Sequence, residues 1–217
     1  FGANAEQANA APRNGTKASK TPAARPPSAE AEESEQSNAT NSDDATPQLR
    51  PELIQSPEAL EPLVQRLMGS TDATAPVAID TETTDLNPFK AELVSLGLCW
   101  GEALDALAYI PIGHKVDDPS AQEQLPLETV LTALAPWLSS ADHPKALQNA
   151  KYDRLILLRH GLILDGVVID TLLADYLRDA AAKHGLELMA EREFGFKPTS
   201  FTDLVDKKQT FADVPIE

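Results

Sequence analysis

Beyond residue 51 the apolar residues of this chain fall into two regimes. Between residues 77 and 110 they form short runs separated by turn signals. Val77-Ala78-Ile79 leads into the polar stretch Asp80-Thr81-Glu82-Thr83, and further runs cover 92–100 and 106–110. Asn87-Pro88 and Gly101 punctuate them. Short apolar runs bounded in this way predict strands over 77–81, 92–100 and 106–110. The short connections predict that the three run antiparallel. After Pro126 the apolar spacing becomes helical over 127–138. A fourth strand is predicted at 146–149. A helix over 152–160 follows and ends at Gly161, a residue type that commonly closes helices. A fifth strand is predicted at 166–169, and further helices over 171–177 and 186–194. Ahead of the strands, Ser56-Pro57-Glu58-Ala59-Leu60 predicts a helix start, with Ser56 as cap and Pro57 in the first turn, running to about Met68. No internal repeat is visible. Three antiparallel strands followed by alternating helices and strands predict an α/β fold: a mixed sheet with helices on its faces.

Residues 1 to about 50 break this pattern. They are rich in Ala, Asn, Ser, Thr, Glu and Pro, and their one aromatic residue is Phe1. Such a segment buries too little apolar surface to offset its chain entropy, so it is expected to be a disordered linker ahead of a domain at 51–217. A targeting peptide is the lesser alternative, and the acidic residues between Glu30 and Glu35 argue against it. The first residue is Phe, not Met, which reads as a piece of a longer protein.

Charge narrows the function classes. The net charge is −16. Residues 1–50 hold 5 basic and 7 acidic side chains, and residues 51–217 hold 13 basic and 27 acidic, so the acidity belongs to the folded part. Nucleic-acid binders that work alone are usually basic, so tight binding by this piece alone is not expected. A metal-dependent nuclease stays open, because its site is built from carboxylates. Cys99 is the single cysteine, which excludes an internal disulfide and fits a reducing compartment; inside LVSLGLCW it reads as a small buried hydrophobe. No apolar run approaches the ~20 residues that span a bilayer.

The candidate chemistry begins at VAIDTETTDL, residues 77–86. Residues i and i+2 of a strand share a face, so Asp80 and Glu82 project together from the end of a buried strand. Two carboxylates held that close repel unless a cation lies between them. Hard oxygen ligands suit Mg²⁺ or Mn²⁺. The bland alternative is a solvated strand end and a polar turn. A second acidic motif, LQNAKYDRLILL, spans 147–158. Asn149 is placed at a strand end and Asp153 in the first turn of the next helix, where the helix dipole alone favours an acid. If the fourth strand lies beside the first, Asn149 and Asp153 face the rim that carries Asp80 and Glu82.

With both motifs in view, the chain resembles the 3′→5′ proofreading exonuclease domain of bacterial DNA polymerase I, in the DEDD group of the ribonuclease H-like fold. Asp80-Thr81-Glu82-Thr83 is similar to the first exonuclease motif and Gln148-Asn149-Ala150-Lys151-Tyr152-Asp153 to the second. Tyr109-Ile110-Pro111, Asp170-Thr171-Leu172-Leu173 and Phe201-Thr202-Asp203-Leu204 extend the match. The resemblance implies two-metal hydrolysis with two Mg²⁺ ions, or Mn²⁺, held by Asp80, Glu82 and Asp153. Asn149 would hold the terminal nucleotide, and Thr83 and Leu86 would line the pocket of the last base. Tyr152 is a further substrate contact; Lys151 and Arg154 are weaker candidates for backbone contact, with a solvated helix face as the equal alternative. The implied substrate is a single-stranded or frayed 3′ DNA end. The implied setting is a monomer in the bacterial cytoplasm, on the nucleoid, with a polymerase domain downstream and no membrane. Two alternatives remain: a ribonuclease D-like exoribonuclease, and a spacer or DNA-binding module that has lost cleavage.

The family's third motif, Tyr-x-x-x-Asp, is not found. Position i+4 is Gly113 after Tyr109, Ile156 after Tyr152 and Ala180 after Tyr176. His160 and Asp165 form the related His-x-x-x-x-Asp spacing but follow the second motif too closely. The third motif is expected beyond Glu217. The chain alone is therefore expected to be impaired, with an apolar strip left open. The remaining residues take structural readings. Asp170 is read as the cap of the helix from Thr171, with a fourth catalytic carboxylate as the lesser reading. His114 and His184 are expected in surface loops and His143 in a turn. Trp100 and Trp137 are expected to be partly buried, and Glu191 and Arg192 to form a solvated helix face.

Overall fold

The computed structural model describes residues 49–115, 124–206 and 208–216. All but the last two residues of the expected linker lie outside the described residues.

The strands are β1 (Glu52–Leu53), β2 (Val77–Thr83), β3 (Leu93–Cys99), β4 (Leu107–Pro111), β5 (Lys145–Leu147) and β6 (Val167–Asp170). The helices are α1 (Pro57–Gly69), α2 (Leu127–Leu138), α3 (Ala150–Arg159), α4 (Thr171–Arg178), α5 (Leu186–Phe194) and α6 (Phe201–Leu204), with a 3-10 turn at Phe211–Asp213. One sheet carries the strands in the order β1-β4-β3-β2-β5-β6. β2, β3 and β4 form the expected antiparallel trio. β5 lies parallel to β2, and β6 parallel to β5. Parallel neighbours need a crossover, and α3 supplies the one between β5 and β6. This is the mixed α/β sheet of a ribonuclease H-like fold.

The alternation in β2 decides where the site lies. Val77, Ile79 and Thr81 are buried, while Ala78 and Asp80 are exposed and Glu82 is half-buried. Val77 and Ile79 belong to a core built with Leu60, Leu63 and Leu67 of α1, Leu134 and Trp137 of α2, and Ile156 of α3. The capping that starts α1 is as expected: Ser56 accepts from the N–H of Ala59 at 3.3 Å, ahead of Pro57. The opposite face of the sheet opens into a largely apolar groove of about 1020 Å³, floored by Ala78, Asp80, Gly97, Tyr109 and Gln148.

Several expectations change. β1 was not anticipated, because two residues carry no periodicity; it is defined by its parallel pairing with β4. The fourth strand ends at Leu147, and α3 begins at Ala150, two residues before the expected start. Asn149 turns the chain between them in the left-handed region, at φ 61° and ψ 49°. His114 is buried, not in a surface loop: Tyr109 Oη lies 2.6 Å from its Nε2, and Val214 O lies 2.8 Å from its Nδ1. Burial pushes its pKa down, so the neutral ring donates from Nδ1 to Val214 and accepts from Tyr109 at Nε2. His143 is buried within its turn. His184 and Arg192 pair with the buried Asp175 of α4 at 2.7 and 2.5 Å, so Arg192 is not part of a purely solvated face. Trp137 is fully buried, whereas Trp100 is half-buried, as expected, under the guanidinium of Arg66. Cys99 is half-exposed rather than buried.

Lys145 in β5 is fully buried. Its Nζ donates to Ser140 O at 3.1 Å and His143 O at 2.7 Å, and sits 4.7 Å from the centre of the Trp137 ring. Burial pushes its pKa down from 10.5 to about 8, against a smaller opposing effect of Asp165. Between pH 8 and 10.5 the unfolded chain therefore binds the proton that the folded chain has released, and stability rises with pH across that window. Chemical denaturation of this chain and of Lys145→Met is expected to show the parent gaining about 3 kcal/mol relative to the variant over that range. A constant difference between the two proteins would refute the buried, depressed lysine.

Candidate active site

β5 runs parallel to β2 with Lys145 opposite Val77 and Ala146 opposite Ala78, so the chain leaves β5 alongside the stretch of β2 that leads into Asp80. In open sheets of this kind, ligands bind beyond the carboxyl ends of the strands. β2 delivers Asp80 and Glu82 there from its open face. β5 feeds through Gln148 and Asn149 into α3, whose first turn carries Asp153. Asp153 is buried, and its Oδ1 accepts from Thr81 Oγ1 at 2.7 Å. Thr81 points to the helix-covered side of β2, opposite its neighbours Asp80 and Glu82. The three acids therefore meet around the strand end, two from one face and one from the other.

Their electrostatics show that they interact. Glu82 is pushed up to about 7, first by burial and then by the charges of Asp80 and Asp153. Asp153 is also pushed up to about 7, first by burial and further by Asp80, against the hydroxyl of Thr81. Asp80 is open towards the groove, but the protein on its other sides raises its pKa by desolvation. No ion pair forms at any of the three among the described residues. Three desolvated carboxylates that repel one another form a donor set short of positive charge, which fits a hard divalent cation. Their side chains are not already closed around one point: no group of three His, Cys, Asp or Glu among the described residues is arranged to hold an ion.

The remaining sequence candidates lie at the end of β2 and on the loop after it, in the turn ahead of α3 and on α3. Tyr152 Oη donates to Asp85 O at 2.5 Å and lies 2.5 Å from Thr83 Oγ1. Asp85 Oδ1 accepts from the N–H of Asn87, and Asn87 Oδ1 from that of Phe89, at 2.8 and 3.0 Å. Arg159 of α3 donates to Pro88 O at 3.0 Å and to Ala91 O. The loop after β2 is thus pinned to α3 at both ends, and its tip presents Leu86 at 95% exposure. Lys151 and Arg154 are exposed on α3. Two features were not read from the sequence. Phe89, three residues after Leu86 in the same loop, stands 70% exposed at a position no pattern marked. Asp170 caps its own helix, as expected, but it also accepts from the N–H groups of Asn149 and Ala150 at 3.0 and 2.9 Å. Only the pairing of β5 with β6 brings those groups within its reach.

Comparison with known proteins matches residues 51–217 to the 3′-5′ exonuclease family. DNA polymerase I of Synechocystis is 42% identical over 172 residues, which cover 78% of this chain and 17% of that protein. DNA polymerase I of Chloroflexus aurantiacus is 34% identical over 188 residues, covering 82% of this chain and 18% of that protein. The chain thus spans less than a fifth of the length of these relatives. Among solved structures, Trypanosoma brucei RNase D in complex with RNA superposes with a TM-score of 0.57 at 12% identity, over 76% of this chain and 54% of that one, a likeness of fold. Over most of its length, this chain belongs to the 3′-5′ exonuclease family found in DNA polymerase I.

Proposed function

We propose that this chain is the proofreading portion of a DNA polymerase I, removing nucleotides one at a time from a single-stranded or frayed 3′ DNA end. The observation that carries this reading is the meeting of Asp80, Glu82 and Asp153 at the carboxyl ends of β2 and β5, with two of the three pushed up to about 7. In the reaction, a water oxygen attacks the last phosphodiester phosphorus and the bond to the 3′ oxygen breaks. The products are a nucleoside 5′-monophosphate and a shortened strand with a free 3′ hydroxyl. Asp80, Glu82 and Asp153 would hold two Mg²⁺ ions, or Mn²⁺, which supply positive charge for the incoming hydroxide and the leaving oxygen. Thr83, Tyr152 and Asn149 border the same strand ends and would orient the terminal nucleotide. Leu86 would pack against its base, and Lys151 would contact the backbone.

The proposed setting is a monomeric exonuclease domain at 51–217, preceded by a linker at 1–50 and followed by a polymerase domain in the same polypeptide, on DNA in the bacterial cytoplasm. The complete gene product, given a 5′-labelled primer with a 3′ mismatch and Mg²⁺, is expected to shorten it stepwise and to release nucleoside 5′-monophosphates. Chelation is expected to stop the reaction. Faster shortening of the matching RNA would favour an exoribonuclease, and no shortening by verified folded protein would favour a module that has lost cleavage.

A further inference from the structure

We infer that Asp170 is a positioning residue of the exonuclease site: its carboxylate fastens the head of α3, and thereby sets where Asn149 and Asp153 stand. The inference rests on the exonuclease reading above and adds a residue that touches no reacting atom.

β5 and β6 are parallel neighbours, with Leu147 opposite Asp170. The chain leaves β6 directly into α4, and leaves β5 through Gln148 and Asn149 into α3. Two helix N-termini therefore open side by side, each with N–H groups that lack partners inside the helix. α4 has its own cap in Asp170: Oδ1 accepts from Leu172 and Leu173 at 3.0 and 3.3 Å. α3 has none, because Asn149 at its cap position makes no side-chain capping bond. Asp170 serves this second helix as well, accepting from Asn149 N on Oδ1 at 3.0 Å and from Ala150 N on Oδ2 at 2.9 Å. One carboxylate thus closes donors of both helices. Bonds to an ionised acceptor are the strong kind, and a negative charge is favoured at the positive ends of both helix dipoles.

The second half of this clamp reaches the site. Asn149 is the only non-glycine residue with positive φ among the described residues. Left-handed backbone is disfavoured for L-residues, and asparagine is among the few that tolerate it. The two N–H groups held by Asp170 belong to Asn149 and the residue after it, so the clamp fixes the turn that aims Asn149. Asp153 follows Ala150 by three residues, less than one helical turn. Its carboxylate must then meet Thr81 and come within range of Asp80 and Glu82. A cap with a purely local role would need only Leu172 and Leu173. Thr171 adds to the lock: its hydroxyl has Leu147 O at 3.2 Å and Gln148 Oε1 within reach as acceptors.

Asp170→Ser separates the two roles. A serine can still cap its own helix, but it is too short to hold the neighbouring one. In the complete gene product, the probe is Mn²⁺ alone, followed by the loss of the free-ion paramagnetic resonance signal; Asp80→Ala defines the binding that belongs to this site. Asp170→Ser is expected to weaken that binding about tenfold and to lower kcat on single-stranded DNA about 10–100-fold, with KM changed less than about threefold. Ser56→Ala removes a cap far from the site and controls for lost stability; it is expected to lower the melting temperature without moving Mn²⁺ affinity. Should Asp170→Ser fail to fold, Asp170→Asn, which keeps the shape with one acceptor oxygen, is judged by the same two readouts. Mn²⁺ affinity and kcat within twofold of the parent would overturn the positioning role. Absence of any Asp80-dependent Mn²⁺ binding in the parent would overturn the site reading and this inference with it.

Discussion

Asp80→Ala is expected to slow 3′ shortening by more than about a thousandfold, about 4 kcal/mol in the barrier, while leaving the fold unchanged. Asp80 is the acid felt by both of the others: its charge raises Glu82 and Asp153 alike. It therefore stands between them electrostatically, where a bound cation gains most from a carboxylate. Its side chain faces the open groove, and the register of β2 is set by backbone pairing with β3 and β5. Removing it also relieves a repulsion, so Glu82 and Asp153 move back towards ordinary carboxyl values. The variant is expected to melt at or slightly above the parent's temperature. The rate is read from single-turnover digestion of a labelled single strand by the complete gene product, beside a thermal melt. Activity within tenfold of the parent would remove Asp80 from the catalytic set, and a large loss of stability would recast it as a structural acid.

Gly166→Ala is expected to cost about 3 kcal/mol or more of stability. Gly166 lies in the turn into β6 at φ +71°, a region that L side chains rarely adopt. A Cβ added there would sit 2.5 Å from His143 O and 2.7 Å from Ser140 O. Those two carbonyls cannot retreat freely, because Lys145 Nζ is bonded to both, and Gly166 O itself accepts from Lys145 N at 2.8 Å. The clash thus falls on the buried lysine, its acceptors and the β5–β6 register together. Gly161→Ala is the comparison. It has a similar φ of +78° with nothing within 4 Å of the added Cβ, so only the backbone strain of about 1 kcal/mol applies. Urea unfolding of the two variants reads the difference. Equal losses at both positions would mean that the carbonyls around Gly166 yield more readily than their bonds to Lys145 suggest.

Local patterns were legible where one segment contained the whole signal. The bounds predicted for α2 and α5, 127–138 and 186–194, are those observed, because an amphipathic period needs no partner to be read. The Ser56-Pro57 start of α1 is a signal of the same local kind. The start of α3 was misplaced because Asn149, a residue compatible with strand, turn or cap, takes its conformation from neighbours outside the segment. The surroundings of two histidines were hidden for a related reason. His114 and His184 stand in segments with loop-like sequence; the buried His114 takes its partners from Tyr109 and Val214, up to 100 residues away in the chain, and the half-buried His184 from Asp175.

By itself, the sequence determined the α/β class, the antiparallel trio, the two acidic motifs and the family to which they belong. The first three rest on short-range properties, side-chain alternation, short connections and an acid in a first helical turn; the family rests on the resemblance of the two motifs to known ones. The tertiary structure alone decided that Asp153 reaches the site from the opposite face of β2 through Thr81, that Tyr152 and Arg159 brace the loop bearing Leu86, and that Asp170 serves two helices at once. Each of these depends on β5 pairing in parallel between β2 and β6. Strand order brings together groups that are remote in sequence, and no periodicity within a segment encodes it.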